Sequence, residues 1–273
     1  MMPVPLDNLA EWKHLVYRQL RKTMDRRRFF RGGLAALAGS TMIGTLLRVF
    51  GGGGGRVFAA SGAIDTSHAV KTGTFFFPRL KFDVLNGLCQ WNVYPHADVI
   101  LRQSLAKLTN VNVSQEPVVV SLADFNAMRH YPFIFATDER HFRFPKNEED
   151  NLREFLLRGG FIYGDDCVLG TTEILFFEDF RKMMNRIYPD NPMRRVPDDH
   201  EVYHCYFDLP GLPFLQGKNV GSWATFDKES DRILTFLTPT DMHCGWTCQY
   251  FSPKLNEQAI QMGINIIMFY LTH

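Results

Sequence analysis

The chain of 273 residues has no stretch of about 20 strongly apolar residues, the length a membrane-crossing helix needs. The apolar run from Gly32 to Leu47 is rich in glycine, alanine, serine and threonine, and Arg48 interrupts it. There are no internal repeats and no low-complexity tracts beyond Gly51 to Gly55, which sets aside repeat architectures. A basic face is missing too. Ten of the 30 basic and three of the 29 acidic residues fall in 1–59, which leaves 20 and 26, a net charge of −6 for residues 60–273. Nucleic acid is therefore not an expected partner. Cysteine is scarce and odd in number: Cys89, Cys167, Cys205, Cys244 and Cys248. In an oxidising compartment at least one thiol must stay free, bind metal or pair between chains. Cys244 and Cys248 have CxxxC spacing with no second Cys/His pair at finger spacing, so a structural zinc site is not expected.

What is present begins with Asp25-Arg26-Arg27-Arg28-Phe29-Phe30-Arg31, followed by the small-residue run. This resembles a twin-arginine export signal, an address that a receptor reads and not a part of the fold. Arg26 and Arg27 fill the paired position and Phe29 the preferred phenylalanine, while Asp25 stands where serine or threonine is usual. The glycine spacer and Val57-Phe58-Ala59 then place processing near Ala59 or Ala60. The chain thus divides into a signal segment with its spacer, 1–59, and a single domain, 60–273. The resemblance implies export to the periplasm through the twin-arginine translocation machinery, with an uncleaved signal serving as a membrane anchor as the alternative.

About 214 residues suffice for one well-cored domain. Thr74 to Phe77 and Leu80 to Phe82, broken at Pro78, read as an opening strand. Ala97 to Leu108 has helical spacing, and Val111 to Val113 and Val118 to Val120 are short strand candidates. Tyr131 to Thr137 is a continuous apolar run, as expected of a strand buried on both faces. A helix capped by Asn147 and closed by Gly159 leads to a second such strand, Gly160 to Gly164. Strand, helix, strand at these lengths is a βαβ unit and implies a parallel sheet. Ile174 to Ile187 reads as a helix, Val220 to Phe226 and Arg232 to Leu237 as a hairpin. Ser252-Pro253 opens a last helix with a stripe from Leu255 to Tyr270. The expected fold is α/β: three layers around a doubly wound, mainly parallel sheet, with a C-terminal β-hairpin.

In such sheets ligands bind beyond the carboxyl ends of the strands. Two segments leave strands there, Thr137-Asp138-Glu139-Arg140-His141 and Gly164-Asp165-Asp166-Cys167. Successive side chains on an extended backbone point to opposite sides, so one of Asp165 and Asp166 faces a cleft and the other is free to cap a helix. Cys167 has two readings, nucleophile or inert buried thiol. A tight nucleophile elbow places glycines two residues away, whereas Gly164 and Gly170 are three away, and no His-x-Glu pair follows. A second loop holds Asp241, His243, Cys244 and Trp246. His243 suits a base or metal ligand with Asp241 as its orienter, or a hydrogen-bonded loop cap. Asp198 to Glu201 with His204 is a third polar cluster, open to metal or simply solvated.

Phe75-Phe76-Phe77-Pro78-Arg79-Leu80-Lys81-Phe82, Tyr131-Pro132-Phe133-Ile134-Phe135 and Gly159-Gly160-Phe161-Ile162-Tyr163-Gly164-Asp165-Asp166-Cys167 occur in order. Pro197-Asp198-Asp199-His200 and Met262-Gly263-Ile264-Asn265-Ile266-Ile267 follow. Together they resemble the bacterial domain of unknown function 4159. That resemblance implies a flavodoxin-like or class I glutamine amidotransferase-like fold and supplies no reaction. One departure stands out: many relatives carry Thr-Gly-His where this chain has Thr137-Asp138-Glu139. Related domains joined to cell-envelope proteins imply an envelope partner. Two functions are expected. The first is an exported envelope binding module with Asp165, Asp241, Cys244 and Trp246 around a ligand. The alternative is a periplasmic hydrolase, with or without metal assistance, that uses the Asp165/Asp166/Cys167 turn and the Asp241/His243 loop, with Asp166 and His243 as ligands or acid/base and Cys167 as the less favoured nucleophile. The residues name no cofactor and no particular metal.

Overall fold

The computed structural model describes residues 73–82 and 91–273, so the signal segment, the processing position and Cys89 lie outside the described residues. In chain order the elements are β1 (Pro78–Lys81), α1 (Pro95–Leu108), β2 (Val118–Ser121), α2 (Phe125–Met128), β3 (Phe133–Asp138), α3 (Lys146–Leu157) and β4 (Phe161–Asp166). They continue with α4 (Leu175–Ile187), β5 (Arg194–Arg195), a 3-10 turn (Glu201–Tyr203), β6 (Trp223–Phe226), β7 (Ile233–Thr238), α5 (Met242–Trp246) and α6 (Pro253–Thr272). Among the described residues seven strands form one sheet in the order β2-β1-β3-β4-β7-β6-β5. From β2 through β7 every neighbouring pair is parallel, and β6 and β5 add antiparallel pairings at one edge. This is an α/β fold on a mainly parallel sheet.

The reason lies in the alternation along the central strands. Every residue of β3, β4 and β7 is buried, so each strand needs a helix layer on both faces. Phe133, Phe135, Phe161 and Tyr163 join one core with α1 and α6, while Ile134, Ala136, Ile162 and Leu237 join the other with α3 and α4. Each phenylalanine taken from water contributes roughly 1.5–3 kcal/mol of transfer free energy. Helices α1 and α6 meet closely at Gly263, where an added Cβ would stand 2.9 Å from Leu101 Cδ1 and 3.1 Å from Trp246 Nε1.

Several expected elements shift, each for a local reason. Pro78 opens β1 instead of breaking it: the first strand position tolerates a residue without an N–H. Val111 to Val113 makes no strand, only an isolated bridge from Val113 to Phe75. Helix α3 starts at Lys146 after Pro145, not after Asn147. The Pro145 carbonyl accepts the N–H groups of Glu148 and Glu149, and those carboxylates suit the positive helix end. β6 begins at Trp223 because Gly221, at φ 70°, turns the chain just before it. Helix α6 is buried on nearly all sides from Ala259 to Leu271 and does not carry a single stripe.

Candidate functional site

Strands β4 and β7 are neighbours, with Asp165 in register with Thr238, so the segments that leave their carboxyl ends meet at one edge of the sheet. The period of two sends Asp165 and Asp166 to opposite faces. Asp166 Oδ2 accepts the N–H of Phe177 at 2.6 Å and closes the first turn of α4 from outside the helix. Asp165 turns the other way. It accepts the Thr238 hydroxyl at 2.5 Å and the backbone N–H of His243 at 2.8 Å. Burial pushes both carboxyls well above the ordinary carboxylate range, and the nearby Asp241 adds to this for Asp165. The pair therefore ties the end of β4 to α4 on one face and to α5 on the other.

His243 lies in α5 with its ring wholly buried against Phe135 and Trp246. Its Nε2 stands 2.9 Å from Arg79 Nη2 and 3.3 Å from Asp98 Oδ1. Arg79 also forks onto Asp98, Nε to Oδ2 at 2.9 Å and Nη2 to Oδ1 at 2.5 Å. Nε2 thus stands between a guanidinium, which can only donate, and a carboxylate, which can only accept, while Nδ1 makes no hydrogen bond. Burial first, and then the Arg79 charge, lower the His243 pKa to about 4. The imidazole is a neutral structural member of a buried Arg–Asp–His cluster. Trp246 is likewise enclosed and donates its indole N–H to the Ala259 carbonyl at 3.0 Å.

The residues on either side of that cluster open onto a cleft. Cys167 Sγ and Cys244 Sγ are 3.4 Å apart. One ligand atom each from Cys167, Asp241 and Cys244 lie within 4.8 Å of one another, the one such group of three among the described residues. Asp241 adopts a left-handed backbone at φ 63° just before α5, a conformation its short polar side chain tolerates. Its Oδ2 accepts from Gln216, and its buried Oδ1 makes no hydrogen bond of regular geometry, with the Cys244 thiol and the Val168 amide in weaker contact with the carboxyl. Gln216 reaches this point because Gly217, at φ 89°, follows it; a Cβ there would stand 2.5 Å from the Pro239 carbonyl oxygen. Burial raises the Asp241 carboxyl to about 6. Contact with the Cys167 thiol and burial raise the Cys244 thiol. For Cys167 the Cys244 contact lowers the pKa, and burial with the surrounding carboxylates outweighs it. The cleft, of about 400 Å³, is completed by Glu139, by Gln216 and by an aromatic wall of Tyr94, Tyr250 and Phe251. Tyr94 and Tyr250 pack with ring centroids 5.4 Å apart.

The structure thus brings Cys167, Asp241 and Cys244 together, sets Asp165 beneath them and encloses Trp246 in the core. It does not bring Asp166 and His243 onto a common partner: one side chain faces α4, the other Arg79 and Asp98. The Asp198 to His204 segment gathers no ligand group of this kind. There His200 caps the 3-10 turn by accepting the Val202 N–H, and Asp198 pairs with Arg195. Tyr94, Gln216, Tyr250 and Phe251 are missed by sequence reasoning, since they come from irregular loops with no period to mark them. Glu139 carries a signal, its position just past the end of β3.

A family model described as Domain of unknown function (DUF4159) matches residues 77–271. The match covers well over half of the chain, and the chain belongs to that family. No curated protein matches it.

Proposed function

We propose that this protein is an exported binding module of the bacterial cell envelope whose cleft lies over the carboxyl ends of β4 and β7. One observation carries the reading: a concave site in which two thiols, a buried carboxylate and Gln216 oppose the aromatic wall of Tyr94, Tyr250 and Phe251. Such a mixture of a few oriented polar groups with aromatic surface suits a bound ligand. Acid–base or thiol chemistry asks instead for an imidazole beside Asp166 or Cys167. The His243 ring is engaged with Arg79 and Asp98 and is held neutral, which favours binding over hydrolysis. Kinship with flavodoxin-like and class I glutamine amidotransferase-like folds is part of the same proposal, supported by the parallel order β2-β1-β3-β4-β7. So is twin-arginine export, supported by Arg26, Arg27 and Phe29.

Photo-cross-linking in living cells tests it. A benzoylphenylalanine replaces Tyr250, 53% exposed at the cleft, or Val119, 51% exposed on β2 at the far side of the sheet order. Discrete adducts from position 250 and none from 119 are expected. Equal labelling from both, or none from either, contradicts a binding role for the cleft.

A further inference from the structure

We infer that Cys167, Asp241 and Cys244 form a binding site for one thiophilic divalent cation of the zinc type, an inference that rests on the cleft being a binding site and names what it holds. Three observations converge. The first is the donor set. Two sulfurs and one carboxylate oxygen suit zinc or cobalt and do not suit calcium or magnesium, which take all-oxygen shells. The second is spacing. In a tetrahedral site with metal–sulfur bonds of ~2.3 Å, the two sulfurs stand ~3.8 Å apart. The Sγ atoms here are 3.4 Å apart, and all three ligand atoms fall within 4.8 Å of one another. The sulfurs need to part by only a few tenths of an ångström, and a carboxylate oxygen, which tetrahedral geometry puts ~3.6 Å from each sulfur, has about an ångström or less to travel. The third is a poorly met demand. Asp241 is 1% exposed, yet its Oδ1 makes no hydrogen bond of regular geometry, and only weaker contacts with the Cys244 thiol and the Val168 amide reach the carboxyl. A buried acceptor so weakly served is costly, and a cation between the three side chains would serve it better.

The elements that carry these ligands are fixed independently of any metal. Cys167 N–H donates to the Asp138 carbonyl at 3.1 Å and Gly245 N–H to the Asp241 carbonyl at 3.2 Å. Gln216, on Asp241 Oδ2, plays the part of the outer partner that orients a ligating carboxylate. All three ligands line the cleft, which gives the ion an entry path. Three protein ligands leave a fourth position for an exchangeable group from the cleft, the pattern of an open site. Binding releases the thiol protons to solvent as the two metal–sulfur bonds form.

Cobalt(II) titration of the full-length chain tests the inference, with the protein stripped of metal and kept reduced by a phosphine. One equivalent should produce thiolate-to-cobalt charge-transfer absorption in the near ultraviolet. Zinc(II) should bleach it stoichiometrically. The C167S/C244S variant should lose the band, and Asp241→Asn, which tolerates the same backbone, should weaken binding by about tenfold or more. A folded chain without the band, or a band that survives in C167S/C244S, overturns the site. If that variant fails to fold, Asp241→Asn decides: unchanged cobalt affinity overturns it. Absence of cobalt binding with adducts still formed at position 250 removes the metal and leaves the binding module. Cobalt binding without adducts leaves the metal site and removes the envelope ligand.

Discussion

The backbone N–H of His243 donates to Asp165 Oδ2 at 2.8 Å across 78 residues of sequence. This one bond joins the end of β4 to the start of α5 and so sets the two walls of the cleft against each other. Asp165 is fully buried, and its other oxygen accepts from Thr238. Asp165→Ala leaves a buried amide donor without an acceptor and should cost ~2–4 kcal/mol in chemical denaturation. Asp165→Asn keeps one acceptor oxygen and should cost less. Equal stability of wild type and Asp165→Ala would show that the bond does not hold α5 in place.

How much of this was legible in the sequence differs from element to element. β3 and β4 declared themselves because a strand buried on both faces must be apolar at every position, and Phe133 to Ala136 and Phe161 to Tyr163 are. The opposite facing of Asp165 and Asp166 follows from the period of two alone. The meeting of Cys167 with Cys244 does not follow from any local pattern. It depends on β7 inserting next to β4, a choice of strand order made by the whole sheet. The direction of the His243 ring was equally hidden, because its partners Arg79 and Asp98 come from β1 and α1, 164 residues away in the case of Arg79. Pro145 at the start of α3 shows the reverse case, a local signal outweighed by a neighbouring proline.

The Arg79–Asp98 pair should behave as a buried ion pair. Replacing Asp98 alone by Asn strands a buried guanidinium and should cost ~3–5 kcal/mol, whereas the double change Arg79→Met with Asp98→Leu should cost less. Burial would raise the Asp98 pKa, but Arg79 and His243 outweigh it and the net shift is downward. A carboxyl with a depressed folded pKa contributes stability that is complete above its unfolded value and is lost as pH falls. Denaturation midpoints should therefore drop below about pH 4, and less steeply in the double variant. Parallel acid curves for the two proteins would contradict this assignment.

The close approach of α1 and α6 leaves no room at Gly263. Gly263→Ala places its Cβ 2.9 Å from Leu101 Cδ1 and 3.1 Å from Trp246 Nε1. Overpacking here should destabilise by ~1–3 kcal/mol, despite the better helix propensity of alanine. A stabilised variant in thermal denaturation would mean that the two helices can separate freely.

Export is expected to depend on the paired arginines. The double change Arg26→Lys with Arg27→Lys should leave the chain in the cytoplasmic fraction, and periplasmic chain from that variant would contradict the export proposal.

The most direct measurement of the central claim, that Cys167, Asp241 and Cys244 converge on one ligand position, is a crystal structure of the full chain grown with zinc(II) and measured at the zinc absorption edge. The expected result is a single anomalous peak ~2.3 Å from Cys167 Sγ and Cys244 Sγ and ~2.0–2.2 Å from an Asp241 oxygen. A peak on other cysteines, or those two sulfurs facing away from each other, would contradict it.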